Sequence, residues 1–245
     1  MSTPRPRPRQ TFTLLLASTV PVLLFAGAGC SPGSPAEEPV PVQVEMRGHF
    51  FEATELQTGA IFGDLERLRA AGSRLRSALR ITILPPRSES HLADLRVAAG
   101  GAADALDAAE GRRAAAGVVR SCGSCHQQFQ VGPGFVIGDA PEGESLSRHM
   151  ARQERISRLL WAGLIGPSND HWNEGASELT QEPPFPREIA SRVQDSQLLD
   201  AAQSELRSLG RDAERVTTSE DRARVLAQVW GVCAGCHQLA GSIGP

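Results

Sequence analysis

Apolar residues recur at helical spacing through most of the chain from Met46 onward. Leu65, Leu68, Leu75 and Leu79 share one face of a 3.6-residue helix, and Leu92, Leu95, Val97, Ala98 and Ala102 mark another stripe. The pattern predicts helices over 46–61, 63–79, 90–106 and 108–129. A second series follows over 146–164, a short helix opening at Pro167-Ser168, then 188–216 and 218–239. Pro85-Pro86 and Gly100-Gly101 act as punctuation, and Ser219 followed by Asp221 and Arg222 is a start signal for the last helix. No stretch sustains a period of two, so the expected fold class is all-α. Between the two series, residues 131–145 (VGPGFVIGDAPEGES) read as a linker.

The two series are copies of one unit. A shift of 111 residues superposes Cys122 on Cys233, Cys125 on Cys236 and His126 on His237. The same shift carries Leu95-Arg96 onto Leu206-Arg207, Arg113 onto Arg224 and Val118 onto Val229. Nearer the start of each unit a shift of 100 puts His49 on His149 and Gly63 on Gly163. The two shifts differ by an insertion, placed around the proline cluster at Pro183 to Pro186. The expected domains are therefore 46–130 and 146–245.

The beginning of the chain follows other rules. Residues 1–10 carry Arg5, Arg7 and Arg9 and no acid, and residues 11–28 carry no charge. Gly27-Ala28-Gly29 then precede Cys30. A basic start, an apolar stretch and small residues describe a secretory signal peptide over 1–29, with an uncleaved membrane anchor as the competing reading. Cys30 after small residues resembles the lipobox of bacterial lipoproteins, although Gly27 stands where that family usually has leucine. The resemblance implies a lipidated Cys30 as the mature N-terminus. Residues 31–45, rich in proline, serine and acid, read as a flexible tether. The expected location is the periplasmic face of a bacterial membrane, and Ser31 after Cys30 favours the outer membrane.

Composition narrows the classes. The chain has 245 residues and a net charge of −3, so no excess of positive charge calls for nucleic acid or an anionic membrane surface. Eight Phe, three Trp and no Tyr leave two Ala-rich units of about 90 residues with thin cores, a situation that calls for a staple. No Ser/His/Asp grouping, phosphate loop or distinctive carboxylate pair is present, so the chain is not expected to be an enzyme.

The chemistry lies in the cysteines. Apart from Cys30 they form two Cys-x-x-Cys-His groups: Cys122, Cys125 and His126, then Cys233, Cys236 and His237. This spacing on a helix offers two thiols to the vinyl groups of a porphyrin and aims the adjoining histidine at the iron, so it is the attachment signature of c-type haem. Two covalent haem c groups would supply the missing staple. Three other readings compete. A thioredoxin-like pair wants an α/β setting, which is missing. Zinc held by four cysteines leaves both histidines unexplained, and structural disulfides suit an exported chain.

Helical units that end in Cys-x-x-Cys-His resemble the cytochrome c-prime family, including its low-spin members, over 46–130 and 146–241. The resemblance implies tandem haem-binding four-helix bundles, each with its haem between the helices and the sixth iron position facing the first helix. Both units are shorter than is usual for that family. In the family that sixth position separates electron carriers from gas-binding proteins. Of the six histidines, His91 and His171 have no counterpart in the other copy, whereas His49 and His149 match. They are the expected sixth ligands. Met46 and Met150 are the competitors, and an open site walled by Phe50 and Phe51, or by Leu159, Leu160 or Trp161, is the third option. Arg113 and Arg224 read either as partners of haem propionates or as solvated helix residues.

The leading expectation is a dihaem c-type cytochrome in which two closely spaced haems pass electrons between membrane-bound and periplasmic redox partners. The alternative is binding or sensing of NO or CO at a five-coordinate haem. A haem peroxidase ranks behind both, for want of an acid–base group near the sixth position.

Overall fold

A computed structural model describes residues 42–79, 86–190 and 196–241, apart from the side chains of 190 and 196, and every described segment is helix, turn or loop. In chain order the helices are α1 (Val42–Phe62), α2 (Leu65–Ala78), α3 (Glu89–Ala103), α4 (Ala108–Phe129), α5 (Leu146–Ile165), α6 (Asn169–Thr180), the single turn α7 (Arg187–Ala190), α8 (Ser196–Arg215) and α9 (Ser219–Leu239). The all-α expectation holds. Cys30 and its apolar stretch lie outside the described residues, as does most of the expected tether. Among the described residues no helix is long and apolar enough to cross a membrane.

Local chemistry sets the helix ends. Asp64, Asp107, Ser145, Ser168 and Thr218 each accept a hydrogen bond from the backbone N–H three residues on, which satisfies one of the free donors of a first turn. α4 stops at Gln130, whose left-handed φ of 53° turns the chain away. Three boundaries differ from expectation by more than two residues. α1 begins at Val42, four residues early, because Val-Gln-Val-Glu holds no proline and follows Pro41 directly. α3 ends at Ala103, because Asp107 is taken up in capping α4. The expected helix over 188–216 is represented by α7 and α8, with 191–195 between them outside the described residues.

The helices pack as two closed rings. In one, α1 lies beside α2, α2 beside α3, α3 beside α4 and α4 beside α1; in the other the same order links α5, α6, α8 and α9. The rings then join through α4 against α9, α1 against α9 and α4 against α5, and all the described residues belong to one compact unit. α4 and α9 run antiparallel: Arg120 bonds Glu220 at 2.7 Å near one end, while the Arg112 guanidinium lies beside Gly231 near the other. α1 and α5 are antiparallel too, since Gln57 Nε2 donates to Ser157 Oγ at 3.3 Å and the Phe50 and Trp161 rings meet at 5.3 Å. Gln57 and Ser157 are repeat-related residues in direct contact, so an approximate two-fold axis passes between them.

Burial follows the repeat. Leu56 and Ala60 are buried like Ile156 and Leu160, and Ala115, Ala116, Val118 and Val119 like Leu226, Ala227, Val229 and Trp230. A single core runs through both halves. Large aromatics supply much of it. Trp172 and Trp230 are fully buried, each contributing about 2–3 kcal/mol by burial, and each indole N–H is satisfied, by Ala213 O at 2.9 Å and Ser157 Oγ at 3.2 Å. The segment expected as a linker is not a free tether. Phe135 and Ile137 pack on the core, and the Arg155 guanidinium donates to Gly138 O at 2.5 Å.

Candidate functional site

Each Cys-x-x-Cys-His group occupies the last turns of a helix, Cys122, Cys125 and His126 on α4 and Cys233, Cys236 and His237 on α9. Positions i, i+3 and i+4 share one helix face, so both thiols and the imidazole of each group point the same way. All four cysteines are free thiols. Burial pushes Cys122 and Cys233 up to about 12 and also raises Cys125 and Cys236. A redox-active pair needs a thiolate stabilised by its surroundings; these surroundings do the opposite. Nor do the pairs converge. The antiparallel packing of α4 and α9 places them toward opposite ends of the unit, so one ion cannot take all four thiols. Among the described residues no group of three or more His, Cys, Asp or Glu side chains is arranged to hold a metal ion by itself.

The histidines of the two groups are held across the halves. His126 Nδ1 lies 2.7 Å from the carbonyl oxygen of Ile165, at the end of α5. A carbonyl only accepts, so Nδ1 carries the proton and Nε2 keeps its lone pair. That is the tautomer a metal-binding histidine needs. Gly132, with φ of 148°, turns the chain over this imidazole, where a β-carbon would stand 3.3 Å from His126 Cβ. On α9 the His237 ring packs at 4.5 Å against Phe62, at the end of α1, and burial lowers its pKa.

His49 and His149 occupy matching buried positions near the heads of α1 and α5, 7% and 0% exposed. Their level along the bundle follows from the Ser157–Trp230 contact. His149 lies eight residues before Ser157 and His237 seven after Trp230, about 12 and 10 Å along antiparallel helices, so the two sit at one end of the unit. The repeat gives the same count for His49 before Gln57 and His126 after Val119. Burial lowers the pKa of His49, opposed by the Ala78 carbonyl and the Glu45 charge. Burial, aided by Arg152, lowers His149 to about 4.

The surroundings of His149 contain a residue with no sequence signal. Glu182, 1% exposed, places Oε1 3.3 Å from His149 Nδ1, and the Phe185 ring stands 5.1 Å from the imidazole. Burial pushes Glu182 up to about 7, against the lowering effect of Gln153 and Arg152. Neither ring nitrogen of His149 and neither carboxylate oxygen of Glu182 has a partner in hydrogen-bonding geometry. Four buried polar atoms without a partner in one spot are exceptional in a folded protein.

The remaining candidates fall elsewhere. His91 Nε2 is 2.5 Å from Gln128 Oε1 at the rim of α4, and His171 lies edge-on to Phe135 at the start of α6. Met46 and Met150 are half-buried, one three residues before His49 and the other one residue after His149. Phe50 and Phe51 are 40% and 59% exposed. Leu159, Leu160 and Trp161 are buried past Ser157, away from the level of His237, and Trp161 meets Phe50 and Phe135 edge-on. Arg113 and Arg224 line the groove between α4 and α9, where Arg224 pairs with Asp221 at 2.7 Å. Compared with known proteins, the chain matches no protein-family model, no curated protein and no solved structure.

Proposed function

We propose that the chain is a dihaem c-type cytochrome that transfers electrons in the periplasm, tethered to the membrane through a lipid on Cys30. Cys122 and Cys125 hold one haem through thioethers with His126 on its iron, and Cys233, Cys236 and His237 hold the other. His49 and His149 take the opposite iron positions, so that each helical ring serves as a four-helix haem bundle. The observation that carries this reading is the tautomer of His126: at the end of a Cys-x-x-Cys-His helix, its Nδ1 proton is bound to Ile165 O, leaving Nε2 for a metal. The buried, unpartnered nitrogens of His149 fit the same group.

When bound, haem supplies the one-electron Fe(III)/Fe(II) couple. The chain's part would be to fix the histidine nitrogens that hold the haem and to exclude water from it. Buried His49 and His149 serve that end, because a ligand already packed in place costs little reorganisation.

The test is an optical spectrum and intact mass of the protein produced with haem-attachment machinery. Two haems retained after denaturation, sharp low-spin α bands and no shift with carbon monoxide are expected. A high-spin spectrum that shifts with carbon monoxide would turn the reading to gas binding, and the absence of covalent haem would overturn it.

A further inference from the structure

We infer that Glu182 is the positioning residue of the second haem site: its carboxylate accepts a hydrogen bond from His149 Nδ1–H and so orients Nε2 toward the iron. At the first site the backbone carbonyl of Ala78 takes that place beside His49, and the Glu45 carboxylate acts on the ring through its charge alone. This inference rests on the proposed haem ligation and deepens it by making the two haems unequal.

The geometry has three parts. Glu182 Oε1 already lies 3.3 Å from Nδ1, so a small ring rotation completes the bond. The segment that carries Glu182 is fixed independently of its carboxylate: Gln203 Nε2 and the Arg207 guanidinium, both from α8, donate to the Glu182 backbone carbonyl at 3.0–3.2 Å. Phe185, three residues on, closes the apolar wall of the site. Arg152 Nε, 4.0 Å from Oε1, is the nearest counter-charge, and it too lacks a hydrogen-bond partner.

A carboxylate on the far nitrogen makes an imidazole a stronger donor to the metal, and such outer partners change metal affinity about 10- to 100-fold. A stronger anionic donor favours Fe(III) over Fe(II). The haem on Cys233 and Cys236 is therefore the one of lower potential. Glu182→Gln keeps the shape and an acceptor oxygen but removes the charge, so it raises that potential; a tenfold change in the Fe(III)/Fe(II) preference is about 59 mV for one electron.

The experiment is a spectroscopic redox titration of the dihaem protein and of Glu182→Gln, with electron paramagnetic resonance of the oxidised forms. Two one-electron waves are expected, of which Glu182→Gln moves the lower one upward and leaves the other in place, with changed g-values for one haem. Both waves unmoved in a variant that keeps two low-spin haems would overturn the inference while leaving the cytochrome reading intact; a chain without covalent haem would sink that reading itself. Should Glu182→Gln fail to fold, Cys122→Ser/Cys125→Ser and Cys233→Ser/Cys236→Ser isolate one haem each. The first must then show the lower potential, and the reverse order refutes the assignment.

Discussion

Gly123→Ala probes a close helix crossing at the first Cys-x-x-Cys-His group. A β-carbon on Gly123 would land on the carbonyl oxygen of Leu164 in α5, where ordinary carbon–oxygen contacts begin at about 3.3 Å. The obstacle is backbone, so no rotamer relieves it, and α4 and α5 have to part by on the order of 1 Å. Three residues on, His126 donates to Ile165 O at 2.7 Å, a bond that the same movement breaks. Overpacking costs about 1–3 kcal/mol, and the lost hydrogen bond about 0.5–1.5 kcal/mol. Alanine returns about 1 kcal/mol through helix propensity. The expected net loss is about 1–3 kcal/mol. Gly117→Ala, on the same helix, is the matched control: its β-carbon meets only Ala98 Cβ at 3.6 Å, so it keeps the propensity gain. Urea titrations of both variants with equal m-values should place them about 2–4 kcal/mol apart. If Gly123→Ala proves as stable as Gly117→Ala, the α4–α5 crossing is looser than described and the anchoring of His126 to Ile165 loses its support.

Three further outcomes follow from buried or capped groups. Ser157→Ala removes the oxygen that accepts from both Gln57 and Trp230, leaving two buried donors unpaired, and should cost about 2–4 kcal/mol by urea titration; a loss under half a unit would mean that water replaces it. Asp107→Ala, which removes the α4 cap on the Glu110 N–H, should cost about 1 kcal/mol in the same assay, and an unchanged midpoint would mean that the cap adds nothing. Glu55 forms a two-pronged pair with Arg67 at 2.9 Å, and that hydrogen bond first of all holds its pKa below 4.5. Its contribution is therefore complete above the unfolded value and fades as the pH falls through the folded one. Glu55→Gln should lose about 0.5 kcal/mol near pH 7 and approach wild type below pH 4; a constant gap across that range would assign the effect to packing rather than charge.

The sequence carried the helices because their causes are local. α4 matches its expected limits, 108–129, because Asp107, an Ala/Val stripe and the glycine-rich segment after Val131 all act within a few residues. His49 and His149 were paired through repeat register alone, and both are buried. What stayed hidden depends on faces shared between distant elements. Gln57 and Ser157 are polar and nothing in the sequence marks them as buried, yet they meet at the two-fold axis where the halves join. Glu182 stands in the proline-rich segment read as an insertion, where no periodicity marks its side chain as buried. The hydrogen bond on His126 comes from a backbone carbonyl, which no residue type announces.

The antiparallel packing of α4 and α9 bears on how the two proposed haems relate to one another. Arg112 and Gly231 share a level; from there His126 lies fourteen residues along α4 and His237 six along α9 in the opposite direction. At 1.5 Å per residue His126 and His237 are roughly 30 Å apart along the bundle. That is wider than the close pair expected from sequence, and electron tunnelling falls steeply over such a gap. Two charges at this separation interact by only about 0.5 kcal/mol even at an effective dielectric constant of 20. Each haem should therefore titrate almost independently and exchange electrons with its own partner at its own end. Cys233→Ser/Cys236→Ser should leave the midpoint of the first haem within that margin, and oxidised dihaem protein should show two uncoupled low-spin signals. A larger shift, or spin coupling between the irons, would mean that the two attachment motifs approach each other in the mature protein and that the antiparallel arrangement of α4 and α9 does not survive haem attachment.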